Sequence, residues 1–277
     1  FEPFYIQLVK VGEEIGLLDD ILDRLADLYE KRSELKGKIK SALMYPVIVL
    51  AVAILTLAFL LTFIVPTFAQ MYEQFNAELP EVTQLILGLS NYIRDNYYFV
   101  IMVIIISFLT VYILTKTKSG KFYIDKLIVK IPVFGSLMSK NLIANFFQTF
   151  STLTENGIPL HHTLKLASDS STNLYFSTLT KELIPAIEKG HNFGDTIMEL
   201  DFFPSIACRM VQVGETSGQL GKMSHHIYQK YSKEVDQSVE GLTSVIEPIL
   251  IVILGIVIGL VVISMYLPIF ELMNVIQ

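Results

Sequence analysis

Val47–Val65 reads VIVLAVAILTLAFLLTFIV, a run without charge whose only polar side chains are Thr56 and Thr62. A bilayer hydrocarbon core about 30 Å thick is crossed by roughly 20 such residues in a helix. The charge-free stretch around it extends from Ser41 to Tyr72. Tyr97–Leu114 and Ile249–Leu267 are equally free of charge and rich in Ile, Val and Leu. A buried helix of a soluble protein can be this apolar, but a chain of 277 residues has no core that hides three of them. The sequence therefore predicts an integral membrane protein with three transmembrane helices.

Composition agrees. The chain is 52% hydrophobic with a mean hydropathy of +0.52, and the apolar residues pool into those three runs. A net charge of -6 offers nucleic acid no electrostatic footing. One cysteine, Cys208, excludes an internal disulfide and a cysteine-based metal site, and reads as a small buried thiol. No secretory signal opens the chain and Phe1 is not a methionine, so the expected start lies upstream.

Lysine and arginine flanking a span stay on the cytoplasmic side. Lys31, Arg32, Lys36, Lys38 and Lys40 precede the first span, and Lys116, Lys118, Lys121, Lys126 and Lys130 follow the second. Between them, residues 66–96 carry Arg94 against Glu73, Glu78, Glu81 and Asp95. The expected order is the end of a first cytoplasmic helical unit (1–40), a span (41–68) and an extracytoplasmic loop with a short helix (69–96). A second span (97–115), a second cytoplasmic unit of six helices (116–246), a third span (247–268) and an outer tail (269–277) follow.

A shift of 202 positions superposes the chain on itself. Val11-Gly12-Glu13 then falls on Val213-Gly214-Glu215, Gly16 on Gly218 and Leu18 on Leu220. Without a gap, Tyr29 meets Tyr231, Pro46 meets Pro248, Pro66 meets Pro268 and Phe68 meets Phe270. Each copy reads as a short helix closed at Val-Gly-Glu by a left-handed glycine, a turn through Gly16 or Gly218, and a long stem that runs into a span. Leu18, Ile21, Leu22, Leu25 and Leu28 form the apolar stripe of the first stem; Met223, Ile227, Tyr231 and Val235 form that of the second. Stem and span together would reach on the order of 70 Å.

In the second copy, Asn141–Glu155 reads as an amphipathic helix and Gly157-Ile158-Pro159-Leu160 as a turn that opens another. A helix over Leu174–Lys189 would end at Gly190. Nothing alternates like a strand, so the fold class is all-α, with duplicated helical-bundle units of which the first is truncated. Its missing opening is expected to be roughly 60 upstream residues, by the same bundle logic.

Residues for chemistry are scarce. Gly214–Ser224 lacks the glycine and the Ser/Thr that a phosphate loop needs around Gly221-Lys222, having Thr216 and Met223 there. Adjacent histidines, His161-His162 and His225-His226, point about 100° apart on a helix and do not share a metal. Glu13 and Glu215, at equivalent turns, suit either a helix N-terminus or a hard cation, with capping of the following helix expected. Gly255 and Gly259 form a small-xxx-small face for helix contact. Glu247 lies at the cytoplasmic edge of the third span, beside Pro248. No catalytic residue, cofactor or metal ligand is expected.

Val-Gly-Glu-x-x-Gly-x-Leu in both copies, Gly157-Ile158-Pro159-Leu160 after Phe146, and Glu247-Pro248 with Met265-Tyr266-Leu267-Pro268-Ile269-Phe270 resemble the type II secretion F family. That resemblance implies a non-enzymatic inner-membrane platform protein of a type IV pilus or type II secretion machine, active in protein transport and pilus assembly. It implies as partners a hexameric assembly ATPase, pilin or pseudopilin, other inner-membrane machine components and a second copy of the chain, with no nucleic acid. Gly12, Glu13, Gly16, Gly157, Pro159, Gly214, Glu215 and Gly218 would then be structural-turn or coupling residues. Pro46, Glu247, Pro248, Gly255 and Gly259 are the membrane-helix candidates. The competing reading, a small membrane transporter or channel subunit, calls for polar or broken helices at the bilayer midplane.

Overall fold

The computed structural model describes residues 5, 6, 9, 12, 13, 16, 18–67, 81–132 and 134–275. Val11, Phe68, Glu73 and Glu78, used above for the repeat and the orientation, lie outside them, as do the side chains of Ile21, Leu28, Arg94 and residues 264–270. Every described element is a helix, and three are long and apolar enough to cross a membrane. They are α1 (Leu18–Phe59), α3 (Tyr97–Lys116) and α11 (Leu220–Val275), with α2 (Glu81–Asp95) before the second. Chain contacts divide the protein into a helical unit, 1–39 with 114–241, and a membrane unit, 40–113 with 242–277.

In the helical unit, α4 (Lys118–Lys130) starts at Thr117, whose hydroxyl accepts from the Gly120 N–H. Then come α5 (Phe134–Glu155), α6 (Leu160–Asp169), α7 (Leu174–Lys181), α8 (Leu183–Glu188), α9 (Phe193–Met198) and α10 (Ser205–Thr216), before α11. Among the described residues of 116–246, eight helices thus stand where six were expected. The single helix expected over Leu174–Lys189 is divided at Glu182, because Pro185 in the first turn of α8 has no N–H to continue the ladder from α7. The short α9 has a polar start, Asn192, and Asp195 in its first turn.

The core is aromatic. Phe146, Phe147, Phe150, Phe176 and Phe193 are fully buried, and Phe150 stacks on Phe193 with centroids 5.1 Å apart. Phe146 meets Phe176 edge to face at 5.9 Å, the arrangement that ring quadrupoles favour. Ile227, Tyr231, Val235 and Val239 bury one face of α11 at steps of four, as the second stripe requires. Burial pushes the Tyr231 phenol up to about 12, so it stays neutral against the core. In the first stripe Leu25 is buried, packed with Leu153, Ile158 and Leu166, while Leu22 is exposed.

In the membrane unit, Pro46 lies inside α1, whose end passes into a π-helical turn, Leu60–Ile64. Leu61 and Val65 pack against Val261 of α11 and, from α2, Ile86 and Leu87. The buried Ser90 hydroxyl donates to the Leu61 carbonyl, at a place where the wider π turn disturbs the usual ladder. Elsewhere the spans are bare, at most 6% of their most apolar windows being buried within the chain, as lipid-facing helices are.

Replacing Phe150 by Ala removes a fully buried ring and is expected to cost about 3–5 kcal/mol. The midpoint of thermal unfolding in detergent, read from labelling of the buried Cys208 thiol, should fall on the order of 10 °C. The exposed Ile206→Ala serves as the control and should leave the midpoint nearly unchanged.

Candidate functional site

The turn joining α10 to α11 spends only Ser217, Gly218 and Gln219. Gly218 is left-handed, with φ 65°. Its N–H donates to the Glu215 carbonyl at 3.2 Å, and the Gln219 N–H donates to the Gly214 carbonyl at 2.8 Å. This pair of reversed bonds is the Schellman closure, which satisfies the last carbonyls of a helix and turns the chain back on it. The same closure ends α5 at Gly157 (φ 75°), with Ile158 bonding back to Leu153, and α8 at Gly190 (φ 87°), with His191 bonding back to Ala186. Pro159 then stands as the cap of α6, extended at φ -54° and ψ 141°, one place before its first helical residue.

Gly214 does something other than expected. It is helical and buried, and the left-handed residue that closes α10 is Gly218. A Cβ on Gly214 would come within 2.9 Å of Met223 Cβ and 3.1 Å of Leu220 Cα, so the missing side chain lets the end of α10 touch the start of α11. At the turn 202 positions earlier, Gly12 is helical and buried, and Glu13 is helical and exposed. Gly16 is left-handed at φ 71°, its N–H donating to the Glu13 carbonyl.

Glu215 caps a helix, but not the one that follows it. Its carboxylate oxygens accept from the N–H groups of Phe193 at 2.7 Å and Gly194 at 2.8 Å, the first two residues of α9. Those donors have no partner inside α9, and the carboxylate meets the positive end of the helix dipole. A Cβ at Gly194 would strike Gln212 Cα at 2.8 Å, so α9 fits against α10 only through glycine. The Gln212 amide donates to Asp195 on the far side of the same contact. Sequence spacing concealed this clamp because Glu215 and its donors lie more than twenty positions apart.

The stem α11 is then tied to α5. Glu234 lies 2.7 Å from Lys230 and 3.5 Å from Lys140, and the hydrogen bond from Lys230, then Lys140, holds its carboxyl below the usual range. The first stem lies across the same surface, with the Lys31 ammonium 5.4 Å from the Tyr228 ring centre and Lys38 2.9 Å from Asp236. Between them is a groove of about 170 Å³ floored by Asn141, Asn145 and Gln148.

Of the membrane-helix candidates, Pro46 and Pro248 are both inside long helices, and Glu247 is exposed. Among the described residues, nothing beyond their own helix comes within 4 Å of where a Cβ on Gly255 or Gly259 would be.

The family model described as type II secretion system protein F matches residues 1–66 and 146–268. The chain belongs to the type II secretion system protein F family. It is 34% identical over 277 residues to a type IV pilus assembly protein PilC of Pseudomonas aeruginosa, covering 100% of this chain and 74% of that one. It is 35% identical over 275 residues to the PilC of Thermus thermophilus, covering 99% and 68%. To the type II secretion system protein F of Xanthomonas campestris pv. campestris it is 34% identical over 281 residues, covering 100% and 68%. Across these and two further pilus assembly relatives, the chain spans between 66% and 74% of their length. The matched 146–268 holds the whole corner, from α9 and its Glu215 clamp through Gly218 into α11. The family is a structural component of pilus and secretion machinery and is not a known enzyme family.

Glu215→Ala strands two N–H groups at the start of α9 and should destabilise the helical unit by about 1–3 kcal/mol. Glu215→Gln retains one acceptor oxygen and should lose about half as much. Unfolding midpoints read at Cys208 check both; equal midpoints for all three proteins would remove the clamp's role.

Proposed function

We propose that this chain is an inner-membrane platform of a type IV pilus or type II secretion machine, passing motion from a hexameric cytoplasmic ATPase to pilin or pseudopilin subunits in the membrane. The observation that carries this reading is the corner Gly214–Gly218, which starts a helix, Leu220–Val275, that contributes residues to both the helical and the membrane unit. A push on α9 or α10 enters that helix through Glu215 and the glycine contact rather than through a slack linker. The names of the pilus and secretion relatives supply the kind of machine.

In this reading the N-terminal side and 116–246 are cytoplasmic and the C-terminus is outside, following the lysine asymmetry. The two segments matched by the family model are copies of one unit. Their 202-position register is supported by Gly16 and Gly218, which share a left-handed conformation and a bond to the carbonyl of the equivalent glutamate. The platform works as a homo-oligomer, with the open Gly255–Gly259 face of the third span as one contact between copies.

Gly218→Val, which cannot adopt φ 65° without strain, should abolish filament assembly while the protein stays in the membrane. Gly218→Asn, which tolerates the left-handed region, should retain most assembly. Filament counts with membrane fractionation check both; full assembly by the valine variant would remove the turn from the mechanism.

A further inference from the structure

We infer that the outer face of α4 lies on the surface of the bilayer and binds the headgroups of anionic phospholipids. From Asn96 to Thr154 the chain has six lysines and a single acid, Asp125. That acid is turned inward: its carboxylate accepts from the Leu174 N–H at 2.6 Å, and its carbonyl from the Asn173 amide at 3.2 Å. Phe122 packs edge-on against Tyr175 at 5.6 Å, so the inner face of α4 is held to α7 and its outer face is fixed in direction.

On that outer face Tyr123 is 71% exposed and Leu127 62%, four residues apart, and Ile131, the extended residue that caps the helix, is 41% exposed. Lys121 and Lys130 are exposed on the two sides of this stripe, and Lys118 is exposed in the first turn, at the end next to α3. An exposed aromatic and aliphatic stripe with lysines at its margins is the pattern of a helix lying in a membrane interface. Only Thr117 separates α4 from α3, the span that ends at Lys116, so its first turn emerges among headgroups whatever the leaflet. Charge complementarity selects the lipid. Each lysine held near an anionic surface strengthens association about fivefold, and phosphatidylcholine alone offers no such gain.

The test uses the full chain in lipid nanodiscs, with and without phosphatidylglycerol, and a bimane label on Tyr123→Cys. The natural cysteine is buried and stays unlabelled in the folded protein. Lipids carrying a spin label near the headgroup should quench position 123 and leave a label on the exposed Lys189→Cys unquenched. Quenching should fall severalfold without phosphatidylglycerol, or when Lys118, Lys121 and Lys130 are together changed to Gln, and return when they are changed to Arg. Quenching of position 123 by aqueous iodide but not by lipid would overturn the proposal. So would lipid quenching indifferent to both phosphatidylglycerol and the lysines. Protection of position 123 that grows with protein concentration in phospholipid-free detergent would assign the face to a second copy instead, and equally overturn it.

Discussion

Ending one helix and beginning another within three residues requires a left-handed residue and room for two backbones to touch. Gly218 supplies the first at φ 65°, and Gly214 supplies the second, its absent side chain leaving Leu220 and Met223 in contact range. Helices α9, α10 and α11 meet at that turn. Glu215, between the two glycines, holds the first N–H groups of α9. The first residue so held is Phe193, whose ring is fully buried and stacked on Phe150 of α5. The corner is thereby fixed to the aromatic core on one side and to α11 on the other, where Ile227, Tyr231 and Val235 are buried in turn.

The membrane unit obeys a different constraint. In lipid every backbone group has to find a partner within the protein, so departures from regular helix are tolerated only where something answers them. The π turn at Leu60–Ile64 is answered by the Ser90 hydroxyl, which donates to Leu61, and by the packing of Leu61 and Val65 on Val261. Such turns within helices recur at working sites of proteins. Residues 262–266 of the third span, onto which a shift of 202 positions brings Leu60–Ile64, are regular helix, whereas Gly16 and Gly218 are both left-handed.

The spans were legible because length, apolarity and absence of charge act residue by residue, and α1, α3 and α11 are the three helices that satisfy all of them. The second stem was legible through the step-of-four stripe that ends in Tyr231 and Val235. What escaped was long-range. Nothing near Glu215 in sequence points to Phe193 as its partner, and spacing alone does not say that Gly218, rather than Gly214, takes the left-handed turn. A carboxylate between glycines suits several roles, and only the fold selects the clamp. The single helix expected over Leu174–Lys189 overlooks Pro185, a proline in the first turn of a helix being ordinary while one in its middle is costly. The docking of Lys31 and Lys38 on Tyr228 and Asp236 lay hidden for the same reason as the clamp, the partners being nearly two hundred positions apart.

The proposed coupling requires a mechanical partner that presses on the helical unit near the corner. In-cell photo-crosslinking from Lys222, exposed in the first turn of α11, measures that most directly, with the captured proteins identified by mass spectrometry. The account predicts capture of the assembly ATPase while filaments are being made, and loss of that product when the ATPase is inactivated or absent. A well-expressed chain that captures no ATPase from Lys222, or from the likewise exposed Lys189 and Lys181, in cells actively assembling filaments would contradict it.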